Sequence, residues 1–302
     1  MPAPPALDGV PPPVSELASV VPRAFVAGWP IAHSRSPLIH GFWLTEHALP
    51  GAYERAGVPP DEFAAFLRGL RAAGWTGGNV TIPHKEAAFA LADRRDGAAE
   101  AIGAVNTLWF EGDRLVGGNT DAYGFSANLD ERLKGWRDAQ TAVVLGAGGA
   151  ARAVVQALVE AGIGEIAVAN RSRDRAERLA ADFAGRGARL VALDDAALAS
   201  RLAGTDLLVN TRPSEKGGAG EAGGAETSLD GLAAAALVTD IVYVPLETPF
   251  LAEARRRGHR TADGLGMLLH QAVPGFERWF GVRPDVTPAL RARILEDIDA
   301  AR

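Results

Sequence analysis

Val143-Val144-Leu145-Gly146-Ala147-Gly148-Gly149-Ala150-Ala151 is the stretch whose reading decides the fold. Three bulky apolar residues run into glycines and then into small helix formers, which is the pattern of a buried strand, a tight turn and a helix. Gly146 suits the turn, and Gly148 leaves the backbone bare enough for a pyrophosphate to approach. The helix that opens there turns free N–H groups and the positive end of its dipole toward negative charge. Ala147, Gly149 and Ala150 complete the segment. Ala151 stands where a third glycine is usual and is still small enough for close helix–strand packing. Glycines alone would be weak support, since many strand–helix turns need them for backbone reasons. The strand before and the helix after make this a dinucleotide site.

The next strand is expected at Glu165–Ala169, and its end bears on which dinucleotide binds. Enzymes that use NAD typically carry an acidic residue there for the ribose 2′-hydroxyl. This chain has Asn170-Arg171-Ser172-Arg173-Asp174-Arg175. Arginine forks suit a 2′-phosphate and a carboxylate would repel one, so NADP is the expected cofactor. The plainer reading of Arg171 and Arg175, as solvated charges on the first turn of a helix, stays open on these residues alone. Further strands at 189–192, 207–209 and 237–244, with a helix at 173–184, continue the alternation and point to a parallel doubly wound sheet. Residues 215–226 are Gly/Ala-rich without core-forming side chains and read as a loop.

Upstream lies a second α/β pattern. Arg23–Gly28 reads as a strand, and Ser36 is expected to cap a helix with Pro37 at its first position. An amphipathic helix is expected at 61–73, a strand at 77–82, a helix from Pro83, and a hairpin of 104–110 with 114–118. Asp121 is then expected to cap a helix running to about Lys134. From Gly264 the pattern is helical to the end, and these helices are expected to return to the first half.

Four polar clusters stand at turns of that first half. His33-Ser34-Arg35-Ser36-Pro37 puts two hydroxyls at a helix N-terminus, a natural receptor for a carboxylate. Asn79-Val80-Thr81-Ile82-Pro83-His84-Lys85 puts a lysine in the first turn of a helix, where the dipole disfavours a cation; that suits a proton-transfer group. Gly103-Ala104-Val105-Asn106-Thr107 brings an amide to the start of a strand, and Gly118-Asn119-Thr120-Asp121 a carboxylate to a helix start. Each has a structural explanation taken singly: a cap, a surface lysine, a turn.

The chain has 302 residues, enough for two domains. A net charge of −6 argues against a nucleic-acid or anionic-membrane surface. With no cysteine, disulfides, thiolate catalysis and thiolate metal sites are excluded. No His/Asp/Glu cluster has metal-ligand spacing, and no metal is expected. Residues 1–20 are rich in proline and alanine without a basic cluster or an apolar run of signal length, and read as a loose tail. No apolar stretch is long enough for a bilayer, so the expected location is the cytoplasm.

Taken in order, GWPIAHSRSPLIH (28–40), GGNVTIPHK (77–85), AIGAVNT (101–107), GGNTDAYG (117–124), LGAGGAARA (145–153), NRSRDRA (170–176) and DIVYVPLETPFLAEARRRGH (240–259) followed by DGLGMLLHQA (263–272) resemble the shikimate dehydrogenase family, over about residues 25–281. The resemblance implies an N-terminal α/β substrate domain (21–124 with 264–302), a Rossmann-like NADP domain (125–263) and a cleft between them. It implies the reversible NADPH-dependent reduction of 3-dehydroshikimate to shikimate, a step toward chorismate and the aromatic amino acids. Lys85 and Asp121 match the catalytic pair; Ser34, Ser36 and Tyr243 match the holders of the substrate carboxylate. Thr81, Asn106, Asp121 and Gln271 match partners of the ring hydroxyls and carbonyl, with Asn79 in support. Gly146, Ala147, Gly148, Gly149 and Ala150 match the pyrophosphate turn, and Asn170, Arg171, Ser172 and Arg175 the adenosine segment. Ile241, Gly264 and Met267 match positions beside the nicotinamide. Closure of the cleft about Gly124 and Gly264 is a further expectation.

The chain departs from the family pattern in three places. Gly41 replaces a side-chain amide. Asn210-Thr211-Arg212-Pro213-Ser214 replaces N-[AT]-T-[SP]-x-G, so no cofactor contact is carried over to it. The N-terminal tail is longer than the family core needs. The partner is expected to be a small molecule, not nucleic acid or membrane, and the protein a monomer or homodimer. Competing readings are a quinate/shikimate dehydrogenase preferring NAD, a methylene-tetrahydrofolate dehydrogenase, and a non-catalytic shikimate or NADP sensor. The first is opposed by Arg171 and Arg175, the second leaves HSRSP unexplained, and the third would not need both Lys85 and Asp121.

Overall fold

A computed structural model of the chain describes residues 21–213 and 228–300. The expected tail at 1–20, the loop at 215–226 and Ser214 lie outside these residues. The motif that opened the sequence reading folds as β7 (Thr141–Leu145) running into α6 (Gly149–Glu160). Ala142, Val143, Val144 and Leu145 are all buried, as a parallel strand covered by helices on both faces requires. Around it stand β8 (Glu165–Ala169), α7 (Arg173–Asp182), β9 (Arg189–Leu193), α8 (Asp195–Leu202), β10 (Leu207–Asn210), β11 (Leu237–Asp240), α9 (Pro249–Arg256) and β12 (Arg260–Ala262). The order β12-β11-β10-β7-β8-β9 is parallel throughout. The winding reverses between β10 and β7, and open sheets of this kind bind ligands in the crevice beyond that point.

The first half builds a separate mixed sheet from β1 (Arg23–Gly28), β2 (Ala52–Gly57), β3 (Gly77–Val80), β4 (Arg94–Arg95), β5 (Thr107–Glu111) and β6 (Arg114–Gly118), in the order β2-β1-β3-β5-β6-β4. Its helices are α1 (Ser36–Glu46), α2 (Phe63–Gly69), α3 (Lys85–Leu91), α4 (Gly97–Ile102) and α5 (Asp121–Arg132). The last two helices, α10 (Leu265–Phe280) and α11 (Pro288–Ala300), join α1 in one apolar cluster around Trp43, Leu269, Phe276 and Ile294, so the chain does return to its first half.

α5 is the joint between the halves. Phe125 and Leu129 on it, with Leu133 just past its end, belong to the same buried cluster as Val144, Val154 and Leu158 of the second half. Burying such side chains contributes about 1.5–3 kcal/mol apiece. Gly124 lies inside α5 and is pressed against α10: a Cβ there would come 2.7 Å from both Met267 O and the Gln271 Cβ. Gly124 is a close-packing position between these two helices.

Several local expectations shift. α1 begins at Ser36, with Arg35 rather than Ser36 in the cap position, and α5 begins at Asp121, with Thr120 in the cap position. Neither cap makes a side-chain capping bond, and the Ser36 hydroxyl and Asp121 carboxylate are the first helical side chains. The helix expected from Pro83 starts at Lys85, after a cis Ile82–Pro83 bond. The strand expected to reach 244 ends at Asp240, and Ile241 and Tyr243 lie in the loop beyond. Helices α4, α8 and α9 and strands β2, β4 and β12 were not anticipated.

His40 is fully buried among the rings of Tyr53, Trp43, Phe276 and Trp279, stacked on Tyr53 at a centroid distance of 3.9 Å. Neither ring nitrogen has a hydrogen-bond partner among the described residues. Burial pushes its pKa from the ordinary 6.5 down to about 3, against a weaker opposing pull from Asn79. The folded protein therefore keeps the ring neutral between those values, where the unfolded chain takes up a proton. Stability falls with pH from about 6.5 downward, by roughly 1.4 kcal/mol per pH unit from this one group. Equilibrium unfolding at pH 7 and pH 5 should accordingly give a loss about 2 kcal/mol smaller in a His40→Leu variant than in the wild type. Equal losses would assign the acid sensitivity to other groups.

Candidate active site

Strand register brings the four polar clusters to one edge of the first sheet. Ala27 pairs with Val80, Asn79 with Thr107, and Thr107 with Gly118. Clusters far apart in sequence therefore open side by side, at the ends of β1, β3 and β6 and the start of β5. Facing them are the C-terminal edge of the second sheet, through Ile241 and Tyr243 beyond β11, and the first turns of α10. A cleft of about 260 Å³ lies between, lined by Ser34, Ser36, Asn79, Thr81, Lys85, Asn106, Asp121, Ile241, Tyr243, Gly264, Met267 and Gln271 among others.

At its centre Lys85 Nζ donates to Asp121 Oδ2 at 2.6 Å, and the two side chains keep 30% and 17% of their surface exposed, so the cleft reaches them. Lys85 is held from below. The preceding His84 is buried, its ring stacked on Phe63 at 4.2 Å and its Nε2 2.7 Å from Val58 O, which pins the start of α3. Val105 N donates to Lys85 O at 3.0 Å and ties that turn to the Asn106 segment. His84, for which the sequence offered no partner, is thus an anchor.

Asp121 is oriented from the other side. Asn106 Nδ2 donates to Asp121 Oδ1 at 2.7 Å, and Asp121 N donates to Asn119 Oδ1 at 3.0 Å, a local turn that starts α5 without using the Asp121 carboxylate. The Asn106 side-chain oxygen Oδ1 accepts from Thr107 Oγ1 at 2.8 Å and Thr120 N at 2.9 Å, which fixes the amide's orientation. Gln271 Oε1 stands 3.5 Å from both Asn106 Nδ2 and Thr120 Oγ1, bringing α10 to the same network. Asn79 is braced beneath it: Nδ2 donates to Asn106 O and Thr107 Oγ1, each at 3.1 Å, and Oδ1 accepts from Tyr53 OH at 2.6 Å.

The Ser34–Ser36 end is also fastened. Ser36 N donates to Ser34 Oγ at 3.4 Å, and Arg55 donates to Ser34 O through Nε at 3.1 Å and Nη2 at 2.6 Å. Arg35, which lines the cleft, pairs with Asp297 of α11 at 2.9 Å. With the Ser36 hydroxyl released from capping, this end presents two hydroxyls at the first turn of α1.

Sequence reasoning missed Tyr53, Arg55 and the parts played by Thr107 and Thr120. Tyr53 and Arg55 sit on the unanticipated β2, whose burial pattern has one buried position among exposed ones and leaves no clear periodicity. Thr120 was within a quoted cluster, but nothing in sequence says that its hydroxyl meets Asn106.

The dinucleotide segments lie outside this cleft's lining, along the C-terminal ends of β7 and β8. Gly146 has φ +111°, and a Cβ there would meet Thr211 Oγ1 at 2.5 Å, so the turn requires glycine. Above Gly148 and Gly149 there is open space, with nothing within 4 Å of an added Cβ, and α6 starts without a side-chain cap. Bare N–H groups with room before them fit a pyrophosphate. Asn170 follows the end of β8 with its amide on Ser172 O at 3.0 Å; Arg171 comes next and Arg175 lies in the first turn of α7. No carboxylate stands at Asn170 to repel a 2′-phosphate. Among the described residues no group of three His, Asp or Glu could hold a metal ion, and no helix is long and apolar enough to cross a membrane.

Three families match the chain: the shikimate dehydrogenase substrate binding domain over residues 26–108, shikimate / quinate 5-dehydrogenase over 129–217, and the shikimate 5′-dehydrogenase C-terminal domain over 264–292. The shikimate dehydrogenase (NADP(+)) of Brucella abortus (strain S19) is 56% identical over 279 residues, 92% of this chain and 96% of its own. A Thermus thermophilus shikimate 5-dehydrogenase, solved in complex with NADP(H) and shikimate, superposes with a TM-score of 0.75 at 37% identity, covering 93% of this chain and 100% of its own. A Corynebacterium glutamicum quinate dehydrogenase solved with NAD gives 0.82 at 30% identity, covering 91% and 99%.

Proposed function

The chain belongs to the shikimate dehydrogenase family, and from that premise we propose that its central cleft binds shikimate with Lys85 and Asp121 at the reacting hydroxyl. The reaction is the reversible NADPH-dependent reduction of 3-dehydroshikimate to shikimate, an oxidoreductase step on a CH–OH group in aromatic amino-acid biosynthesis. The observation that carries the assignment of roles is the 2.6 Å Lys85–Asp121 contact in the cleft that also holds Ser34, Ser36, Asn106 and Gln271.

The division of labour follows from chemistry. Ser34 and Ser36, with Tyr243 from the facing half, receive the substrate carboxylate at the start of α1, where hydroxyls and the helix dipole favour an anion. Thr81, Asn106, Asp121 and Gln271 hold the ring hydroxyls and carbonyl, with Asn79 bracing Asn106 from beneath. In reduction, Lys85 stabilises and protonates the developing alkoxide, and Asp121 orients the lysine and a neighbouring hydroxyl. In oxidation the proton runs the other way. The nicotinamide supplies the hydride chemistry when bound. Gly146, Ala147, Gly148, Gly149 and Ala150 hold its pyrophosphate; Asn170, Arg171, Ser172 and Arg175 hold the adenosine end; Ile241, Gly264 and Met267 flank the nicotinamide.

On this reading residues 21–124 with 264–302 form the substrate domain and 125–263 the NADP domain, and the enzyme works in the cytoplasm as a monomer or homodimer. The quinate dehydrogenase solved with NAD is an instructive contrast. NADP is favoured here because Asn170, not an acid, follows the end of β8. Assays at 340 nm with shikimate or quinate, each with NADP⁺ or NAD⁺, test the assignment. The fastest turnover is expected with shikimate and NADP⁺; a preference for quinate and NAD⁺ would overturn it.

A further inference from the structure

We propose that Arg212 is a specificity-determining residue that grips the 2′-phosphate of NADP from the far side of the switch point. The proposal deepens the NADP reading and rests on it. Arg212 lies just past β10, in the Asn210–Ser214 segment. Its root is fixed. Thr211 donates to Leu145 O through its backbone N at 2.9 Å and through Oγ1 at 2.7 Å. Arg212 N donates to Asn210 Oδ1 at 3.2 Å, and Asn210 Nδ2 donates to Asp240 Oδ1 at 3.1 Å, which secures the turn to β11.

From that root the side chain crosses the mouth of β7. A Cβ added to Gly146 would meet Arg212 Cγ at 3.6 Å, so the stem lies over the glycine turn. The guanidinium then reaches β8, where Nη2 stands 3.4 Å from Ala169 O. Ala169 is the last residue of that strand, directly before Asn170 and Arg171. Arg212 therefore starts just past β10 and ends at the point where doubly wound sheets read the 2′ position of the adenosine ribose. A phosphate dianion is an acceptor that matches the planar fork of a guanidinium placed there. Arg171 and Arg175 follow that strand end in sequence, one before α7 and one in its first turn. The group that Arg212 is proposed to bind there is one that NAD lacks.

The test compares the wild type with Arg212→Thr and Arg212→Lys in steady-state kinetics with NADP⁺ and NAD⁺, and in binding of adenosine 2′,5′-bisphosphate and ADP. Thermal melting of each variant checks folding. The threonine variant should raise the KM for NADP⁺ about 10-fold or more and weaken adenosine 2′,5′-bisphosphate by a like factor, with kcat, NAD⁺ kinetics and ADP binding unchanged. Lysine should recover part of the loss, since it keeps the charge without the fork. An unchanged KM for NADP⁺ would overturn the proposal, and so would equal losses with NAD⁺, which put the arginine on the shared part of the cofactor. A wild type that used NAD⁺ better than NADP⁺ would overturn the cofactor reading itself, and that result precedes any substitution.

Discussion

Lys85→Ala should turn shikimate over about 10²–10⁴-fold more slowly than the wild type while still binding it. The substitution removes the donor 2.6 Å from Asp121 Oδ2 and leaves Asn106 on Oδ1 at 2.7 Å, so the carboxylate keeps its orientation. The Ser34–Ser36 end is fastened independently by Arg55 and is untouched. Calorimetric titration with shikimate should therefore give a similar affinity for both proteins, while the rate at 340 nm collapses. Lys85→Arg sharpens the reading. Arginine keeps a positive charge but does not give up its proton, so a group that only stabilised charge would be largely restored, whereas a proton donor would not. The arginine variant is expected to be nearly as slow as the alanine one.

The second large effect is expected where one methyl group has no room. Gly264 precedes α10, and a Cβ there would fall 2.1 Å from Ile241 O and 2.3 Å from Ile241 C. Both residues line the cleft, and the obstacle is backbone, which a rotamer change cannot relieve. Gly264→Ala should force the β11 loop away from α10, cost about 1–3 kcal/mol of stability and, through misplaced cofactor-side contacts, lower kcat/KM about 100-fold. The same change at Gly41 is the control. Nothing lies within 4 Å of its added Cβ, and it sits inside α1, so Gly41→Ala should leave activity intact and raise stability by about 0.5–1 kcal/mol. Thermal melts and steady-state rates on the two variants separate a local clash from a general intolerance of alanine.

Much of the second half was legible because its physics is local. The run of apolar residues into Gly146 and on to a helix specifies strand, turn and helix within one stretch, and Glu165–Ala169 was read to the residue. The edge strand β2 was not, since among its side chains only Tyr53 is buried and Glu54 and Arg55 face solvent. α8 and α9 are short, eight residues each, and carry too few turns to announce a period. The site was legible as a set of types but not as a geometry. That Asn79, Thr107 and Gly118 lie abreast depends on strand register, which the sequence alone leaves open. A one-residue shift in two helix starts mattered most: with Ser36 and Asp121 inside their helices, the capping role that could have explained each of them is gone.

What ties Lys85 to Asp121 is tested most directly by a double-mutant cycle on turnover of shikimate with NADP⁺ at 340 nm, using Lys85→Ala, Asp121→Asn and the pair together. If the two side chains act as one proton-transfer unit, the double variant should be far less slow than the product of the two single losses, because once the lysine is gone the aspartate has only a substrate hydroxyl left to orient. Losses that simply add would contradict the account, as would near-wild-type turnover in either protein that lacks the lysine.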